Sequence, residues 1–199
     1  MSRILDRLYH LHWVTPEVAR SAQPYLGFYA AFLAPHRFKS LINLRGENAD
    51  FRWWTTEKRV AEGLNIVHFD VKLSSRNLPS RSGLAALFDA FAAAERPLLL
   101  KCSGGQDRTG LAAALYLLQS KGPGALAEAE DQLKAWPYLH LPKPHQRWLR
   151  HFPGYANAQA AGDLHQWARD GYDPNHFAAW LEAKGLKGSY RSFQQEAAT

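Results

Sequence analysis

The residues best suited to chemistry stand together in one stretch, Leu98-Leu99-Leu100-Lys101-Cys102-Ser103-Gly104-Gly105-Gln106-Asp107-Arg108-Thr109-Gly110. Cys102 is the single cysteine of the 199-residue chain, and Arg108 follows it after five intervening residues. The leucines predict a short buried strand, and the apolar run from Gly110 to Gln119 predicts a helix. The loop between them therefore runs from a strand end into a helix N-terminus. Such a loop points several backbone N–H groups at one spot, and the helix dipole adds positive potential there. The small residues Ser103, Gly104 and Gly105, followed by Gln106, let the backbone curl around an anion. Arg108 offers a planar fork to two oxygens. These features suit a tetrahedral dianion. At the base of the cradle the same groups favour Cys102 as thiolate over thiol, a nucleophile aimed at phosphorus. The Thr109 hydroxyl is placed to hydrogen-bond the sulfur and help it leave. Most free cysteines are simply small buried hydrophobes; the surrounding loop argues against that for Cys102.

The spacing of Cys102, Gly105, Arg108 and Thr109 resembles the Cys-x5-Arg signature of the cysteine-based protein tyrosine phosphatases. The upstream segments Arg20-Ser21-Ala22-Gln23-Pro24 and Leu41-Ile42-Asn43-Leu44-Arg45-Gly46 resemble the bacterial, dual-specificity-like branch. The likeness runs over roughly residues 15 to 120 and does not reach the region after about Gly154. It implies a central, mostly parallel sheet flanked by helices. It also implies a metal-independent reaction through a cysteinyl-phosphate that water hydrolyses, with no cofactor. Ser103, Gly104, Gly105, Gln106 and Thr109 are then substrate-binding, and Cys102 and Arg108 catalytic.

Two features depart from the family. Many members carry His before the nucleophile, where this chain has Lys101. Many supply a general acid, needed to protonate the leaving oxygen, as an Asp on a separate loop; the matching stretch Leu73-Ser74-Ser75-Arg76-Asn77 holds no carboxylate. Loops ending Asp-Arg-Thr resemble those of myotubularin-like lipid phosphatases, where that Asp is considered the acid, so the resemblance implies a catalytic Asp107. Asp70, 32 positions before Cys102 but inside an alternating strand, is the other candidate. An ion pair orienting Arg108 is the plain structural reading of Asp107. Ser74, Ser75 and Arg76 are candidates for the mouth of the site.

The elements that position this loop alternate between strand and helix character, which predicts an α/β sheet. Strands are expected at Ser40–Leu44, Asn65–Val71 and Leu98–Lys101. Helices are expected at Phe51–Glu62, Leu84–Glu95, Gly110–Gln119 and Ala125–Trp136. Alternation makes His68 a sheet-packing residue. An irregular connection through Pro137, Pro142 and Pro144 leads to a C-terminal helical appendage. One helix is expected at Asp163–Arg169 and another from the Asp173-Pro174 cap to about Lys184, with irregular or frayed chain after Gly188. The expected organisation is a catalytic domain over 1–153 and a helical extension over 154–199 packed on it.

Hydrophobic residues make up 46% and aromatics 13% of the chain, the composition of a folded protein with a substantial core. One cysteine excludes an intramolecular disulfide and a cysteine-rich zinc site. His140-Leu141-Pro142-Lys143-Pro144-His145 lacks matched ligands, so no metal is expected. The longest apolar run is eight residues, Leu111–Leu118, against roughly 20 for a membrane span, and charges interrupt the N-terminus; the cytoplasm is the expected location. The net charge of +6 suggests anionic partners. Phe51-Arg52-Trp53-Trp54 reads as the start of a helix rather than a base-stacking platform, and no nucleic acid is expected. The expected partner is a phosphorylated protein, or a phospholipid or small phosphomonoester. Phosphoinositides are prompted by the Asp-Arg-Thr ending, while the absence of Lys between Ser103 and Gln106 speaks against them. A phosphate-binding module without turnover and a rhodanese-like sulfur transferase are the readings from other classes.

Overall fold

Period-two alternation in the central strand sorts its side chains between two apolar layers. Leu98 and Leu100 join a large buried cluster on one face of the sheet, and Leu99 a smaller one on the other. The computed structural model describes residues 2–24 and 27–195. In chain order the strands are β1 (His12–Thr15), β2 (Val18–Ser21), β3 (Ser40–Asn43), β4 (Val67–Asp70) and β5 (Leu98–Lys101). They lie in the order β1-β2-β5-β3-β4. β2, β5, β3 and β4 are mutually parallel, and β1 is an antiparallel edge paired to β2. β5 is thus central, flanked by β2 and β3 and buried throughout. The result is the expected mostly parallel sheet. The hairpin of β1 and β2 was not legible, because Trp13 to Ser21 carries no clean alternation.

The helices are α1 (Ser2–Leu8), α2 (Tyr29–Leu33), α3 (Arg52–Gly63), α4 (Arg81–Ala93), α5 (Asp107–Lys121), α6 (Leu126–Asp131), α7 (Phe152–Gln159), α8 (Leu164–Gln166) and α9 (Pro174–Ala183). Buried side chains of α1, α2 and α3 cover the smaller cluster. Those of α4, α5 and the C-terminal helices form the larger one. α5 is buried nearly all round, from Thr109 to Leu118, as its unbroken apolar run requires. α4 starts three residues before the first apolar-periodic position, because the Ser80 hydroxyl accepts the Gly83 N–H at 3.0 Å and caps it. The helix expected over Ala125–Trp136 is cut to α6.

The C-terminal segment has no separate core. Trp148, Phe152, Tyr155, Trp167, Tyr172 and Phe177 belong to the same cluster as β5 and α5. α8 is capped by Asp163 and runs on as a π-helix to Gly171. α9 begins at the expected Asp173-Pro174 cap. From Tyr190 to Gln195 the chain is irregular, as expected, but is held by backbone hydrogen bonds rather than frayed. The Arg191 N–H donates to Arg76 O, the Leu78 N–H to Ser192 O, and the Gln194 N–H to Leu78 O. The tail thus adds as a short parallel strand along residues 76–78. Residues 196–199 lie outside the described part. Among the described residues no helix is long and apolar enough to cross a membrane.

Candidate active site

Where β5 ends, Cys102 begins the loop that enters α5 at Asp107, at the carboxyl ends of the parallel strands where open α/β sheets place their ligands. Cys102 is buried. Burial alone would push its thiol up. The Arg108 charge, the Thr109 hydroxyl and the N–H groups of Thr109 and Gly105 outweigh that and hold it below the ordinary thiol value. Thr109 Oγ1 has no other hydrogen-bond partner among the described residues and is left for the sulfur. Arg108 Nη2 donates to Ser103 Oγ at 2.8 Å, which lays the guanidinium over the loop.

The curl depends on Gly105, which sits at φ +67° with its Cα against the neighbouring strand end. A Cβ there would lie 2.6 Å from Ala22 N and 2.7 Å from Ser21 C, both backbone atoms. Gly105→Ala is therefore expected to cost about 2 kcal/mol or more and to open the cradle. A lowered melting temperature together with at least tenfold slower hydrolysis (the loss of about one well-aimed donor or more) is the expected outcome; wild-type activity would show that the cradle does not need this curl.

Arg20 holds the loop from outside. Alternation on β2 turns it to the same face as Val18, into full burial. Nη2 donates to Gly105 O at 3.0 Å and Gln106 O at 3.1 Å, and Nη1 to Gln132 O at 2.7 Å. The guanidinium stacks 4.2 Å from the centre of the Tyr138 ring. Burial lowers its pKa to about 10, which leaves it charged at neutral pH. With those two carbonyls drawn outward, the N–H groups of the same planar peptides face the other way, toward the cradle. Arg20 was part of the resemblance but had no assigned role.

Lys101 turns to the opposite face from Leu100, under α3. Nζ lies 2.5 Å from Glu57 Oε1 and donates to Gln23 Oε1 at 2.6 Å. Burial pulls Lys101 down to about 8, against the opposing pull of Glu57. Burial would raise Glu57, but hydrogen bonding from His68 and Lys101 keeps it below its ordinary value. The residue standing where many relatives have His is thus tied into a buried ion pair, not directed at the sulfur. His68, expected to pack in the sheet, is part of this network, 3.0 Å from Glu57. Trp53 lies beneath Arg45, 3.5 Å from its guanidinium carbon.

The two candidate acids are held differently. Asp70 accepts from Asn43 Nδ2 at 2.7 Å and from Trp54 Nε1 at 2.9 Å, bonds that brace β3, β4 and α3. Asp107 opens α5 and accepts from Gln146 Nε2 at 2.9 Å. Its other oxygen lies 3.1 Å from Nδ1 of the fully buried His140. His140 Nε2 is buried without an acceptor, so the ring proton belongs on Nδ1, facing the carboxylate. Gln146 also donates to Ser75 Oγ at 3.0 Å, joining the 73–77 loop to the cradle. His140 and Gln146 come from the proline-marked connection, which no periodicity singles out.

The cradle opens into a cleft of about 1190 Å³. Cys102, Ser103, Gly104, Gln106, Asp107 and Arg108 line its floor, and Asp70, Ser74, Ser75 and Arg76 its wall. The tail residues Ser192 to Gln195 form part of its rim. Among the described residues no group of three or more His, Cys, Asp or Glu is arranged to hold a metal ion.

A buried cysteine whose thiol is held below its ordinary value at a strand end, an arginine six residues on and a helix N-terminus beside them make a cradle suited to a tetrahedral anion. The model of the tyrosine phosphatase family matches residues 37–121, which include the whole loop. No curated protein matches the chain. Solved structures of similar fold include TpbA of P. aeruginosa (19% identity, TM-score 0.54, 89% of this chain and 93% of that one). TpbA has also been solved in complex with phosphotyrosine. The core catalytic domain of the PP-IP phosphatase Siw14 of S. cerevisiae is similar as well (18% identity, TM-score 0.52, 88% and 93% covered). At these identities the likeness is one of fold.

Proposed function

We propose that Cys102, Arg108 and Asp107 hydrolyse phosphomonoesters through a cysteinyl-phosphate, with phosphotyrosyl or mixed phosphoprotein substrates. The single observation that supports this best is one loop placing a thiolate-stabilised sulfur, a guanidinium and a carboxylate on the floor of one cleft. The Cys102 thiolate attacks phosphorus, the P–O ester bond breaks, and the leaving oxygen takes a proton. Arg108 and the N–H groups from Ser103 to Arg108 offset the charge on the equatorial oxygens. Asp107 is the proton-transfer group, acid in the first step and base for water in the second. Water then attacks phosphorus, the P–S bond breaks and the thiolate returns, with Thr109 hydrogen-bonding the departing sulfur. Asp70 is engaged in bracing the sheet and is the weaker candidate.

Phosphoinositides are the alternative substrates, favoured by the cations Arg45, Lys72 and Arg76 along the cleft. A chemistry that depends on a reduced thiolate suits the cytoplasm, and the upstream motifs support a bacterial, dual-specificity-like enzyme. The test is hydrolysis of para-nitrophenyl phosphate and of phosphotyrosyl and phosphoseryl peptides with a chelator present. Metal-independent turnover of the aryl ester and of phosphotyrosine is expected. Phosphate-dependent binding with no turnover by fully reduced protein would replace this reading with a capture module.

A further inference from the structure

Asp107 passes over the partners that lie at hand. Arg108 follows it in the chain, and its charge also acts on the buried Arg20. The free N–H groups of the first turn of α5 compete for a carboxylate at that position as well. Among the described residues Asp107 pairs with none of these. One oxygen faces His140 Nδ1, the other accepts from Gln146 Nε2, and Arg108 turns to Ser103 instead.

The connection that supplies His140 is built against the stability of the fold. Leu139 is 45% and Leu141 73% exposed, while His140 between them is fully buried. That inverts the usual sorting of apolar and polar side chains. Leu139 sits at φ +53°, in the left-handed region that suits glycine. His140 Nε2 is buried with no hydrogen-bond partner among the described residues, which costs stability too. The turn is held nonetheless: the Leu139 N–H donates to Ala135 O at 2.8 Å, and Arg150 Nη2 to His140 O at 3.0 Å. Exposed leucines, a strained backbone and an orphaned nitrogen together place one N–H against one carboxylate oxygen. Such conflicts between local preference and structure concentrate where function requires them.

We propose that His140 is a positioning residue, which with Gln146 holds the Asp107 carboxylate away from the Arg108 guanidinium so that both stay available on the floor of the cleft. This rests on the phosphatase reading above and adds a residue to its machinery. Donors on both oxygens fix the plane of the carboxylate. Without the His140 bond one oxygen is left beside a guanidinium, and an ion pair between Asp107 and Arg108 is the arrangement that remains. That pair harms the reaction twice. The carboxylate no longer meets the leaving oxygen, and the guanidinium no longer presents its fork to phosphate.

The experiment reads kcat for an alkyl phosphate and for para-nitrophenyl phosphate, together with the binding of inorganic phosphate. His140→Phe keeps a ring and removes the donor. His140→Asn puts an amide nitrogen where Nδ1 stood and keeps the donor. His140→Phe combined with Asp107→Asn removes the carboxylate as well. His140→Phe is expected to lower kcat for the alkyl ester about tenfold or more beyond its effect on the aryl ester, as partial loss of a placed acid would. Phosphate binding is expected to weaken about fivefold or more, as partial loss of a charge-assisted contact would give. His140→Asn is expected to recover most of both losses. The double variant is expected to bind phosphate as Asp107→Asn alone does, because no carboxylate is left to occupy Arg108. Equal losses on the two esters, a His140→Asn variant as impaired as His140→Phe, or phosphate binding unchanged in His140→Phe would each overturn the proposal. If His140→Phe does not fold, Gln146→Leu removes the other donor and carries the same expectations. If Asp107→Asn leaves the alkyl rate unchanged, or no ester is turned over, the reading of the reaction fails separately; calorimetric binding of phosphate to the same variants in the Cys102→Ser background then decides whether His140 keeps Asp107 off Arg108.

Discussion

Cys102→Ser is expected to lower hydrolysis of para-nitrophenyl phosphate by roughly 10⁴-fold or more, to background, as removal of a nucleophile does elsewhere. The hydroxyl that replaces the thiol does not ionise under the pull of Arg108 and the Thr109 and Gly105 N–H groups, so the site keeps its anion cradle and loses its attacking atom. The variant should therefore still bind phosphate esters, which separates loss of chemistry from loss of folding. The companion measurement is alkylation by iodoacetamide as a function of pH. The native thiol lies below its ordinary value, so its reactivity should persist as pH falls through about 8.5, where an unfolded thiol becomes protonated. Unfolding in urea should move the midpoint up. Native and unfolded midpoints that coincide would remove the thiolate argument, and turnover by the serine variant would remove the mechanism.

Asp107→Asn should separate substrates by leaving group. An alkoxide needs a proton as it departs, so an alkyl phosphate should lose about 10²–10⁴-fold in rate, the usual contribution of a placed acid or base. Para-nitrophenolate leaves with little help, so the first step with that ester should change little. Any slowing there reports the second step, where water must be deprotonated. Asn keeps the size but has one acceptor oxygen where the carboxylate offers two, so it retains the hydrogen bond from Gln146 or that from His140 and not both. An unchanged rate on the alkyl ester would sink the assignment. A matching loss in Asp70→Asn, with Asp107→Asn active, would transfer the role, although the Asn43 and Trp54 bonds predict that Asp70→Asn acts mainly on stability.

Legibility in the sequence followed the range of the interaction. The strand Leu98–Lys101 is found at its expected bounds because a leucine run stopped by a polar residue is a local signal. The Asp173-Pro174 start of α9 and the Gly105 turn are local too, the first a hydrogen bond within two residues, the second a backbone conformation few residues but glycine adopt. The Ala125–Trp136 helix was overread: its helix-forming composition continues, but the chain leaves the helix at Gln132, whose carbonyl is taken by Arg20. Local propensity yields there to a contact from 112 residues away.

The sequence alone located the loop: a cysteine, an arginine after five residues and a glycine between them are neighbours along the chain, so their grouping needs no distant contact. The tertiary structure alone decided how that loop is held and what it faces. Arg20 draws two carbonyls outward, Glu57 takes Lys101 away from the sulfur, and His140 and Gln146 claim Asp107, each from tens of residues away. The tail, expected to be irregular or frayed, brings Arg191 beside Arg76 by backbone hydrogen bonds that depend on no side-chain pattern. Such contacts follow from which strand ends and connections meet in space, and their partners' spacing along the chain carries no periodic or motif signal that could have announced them.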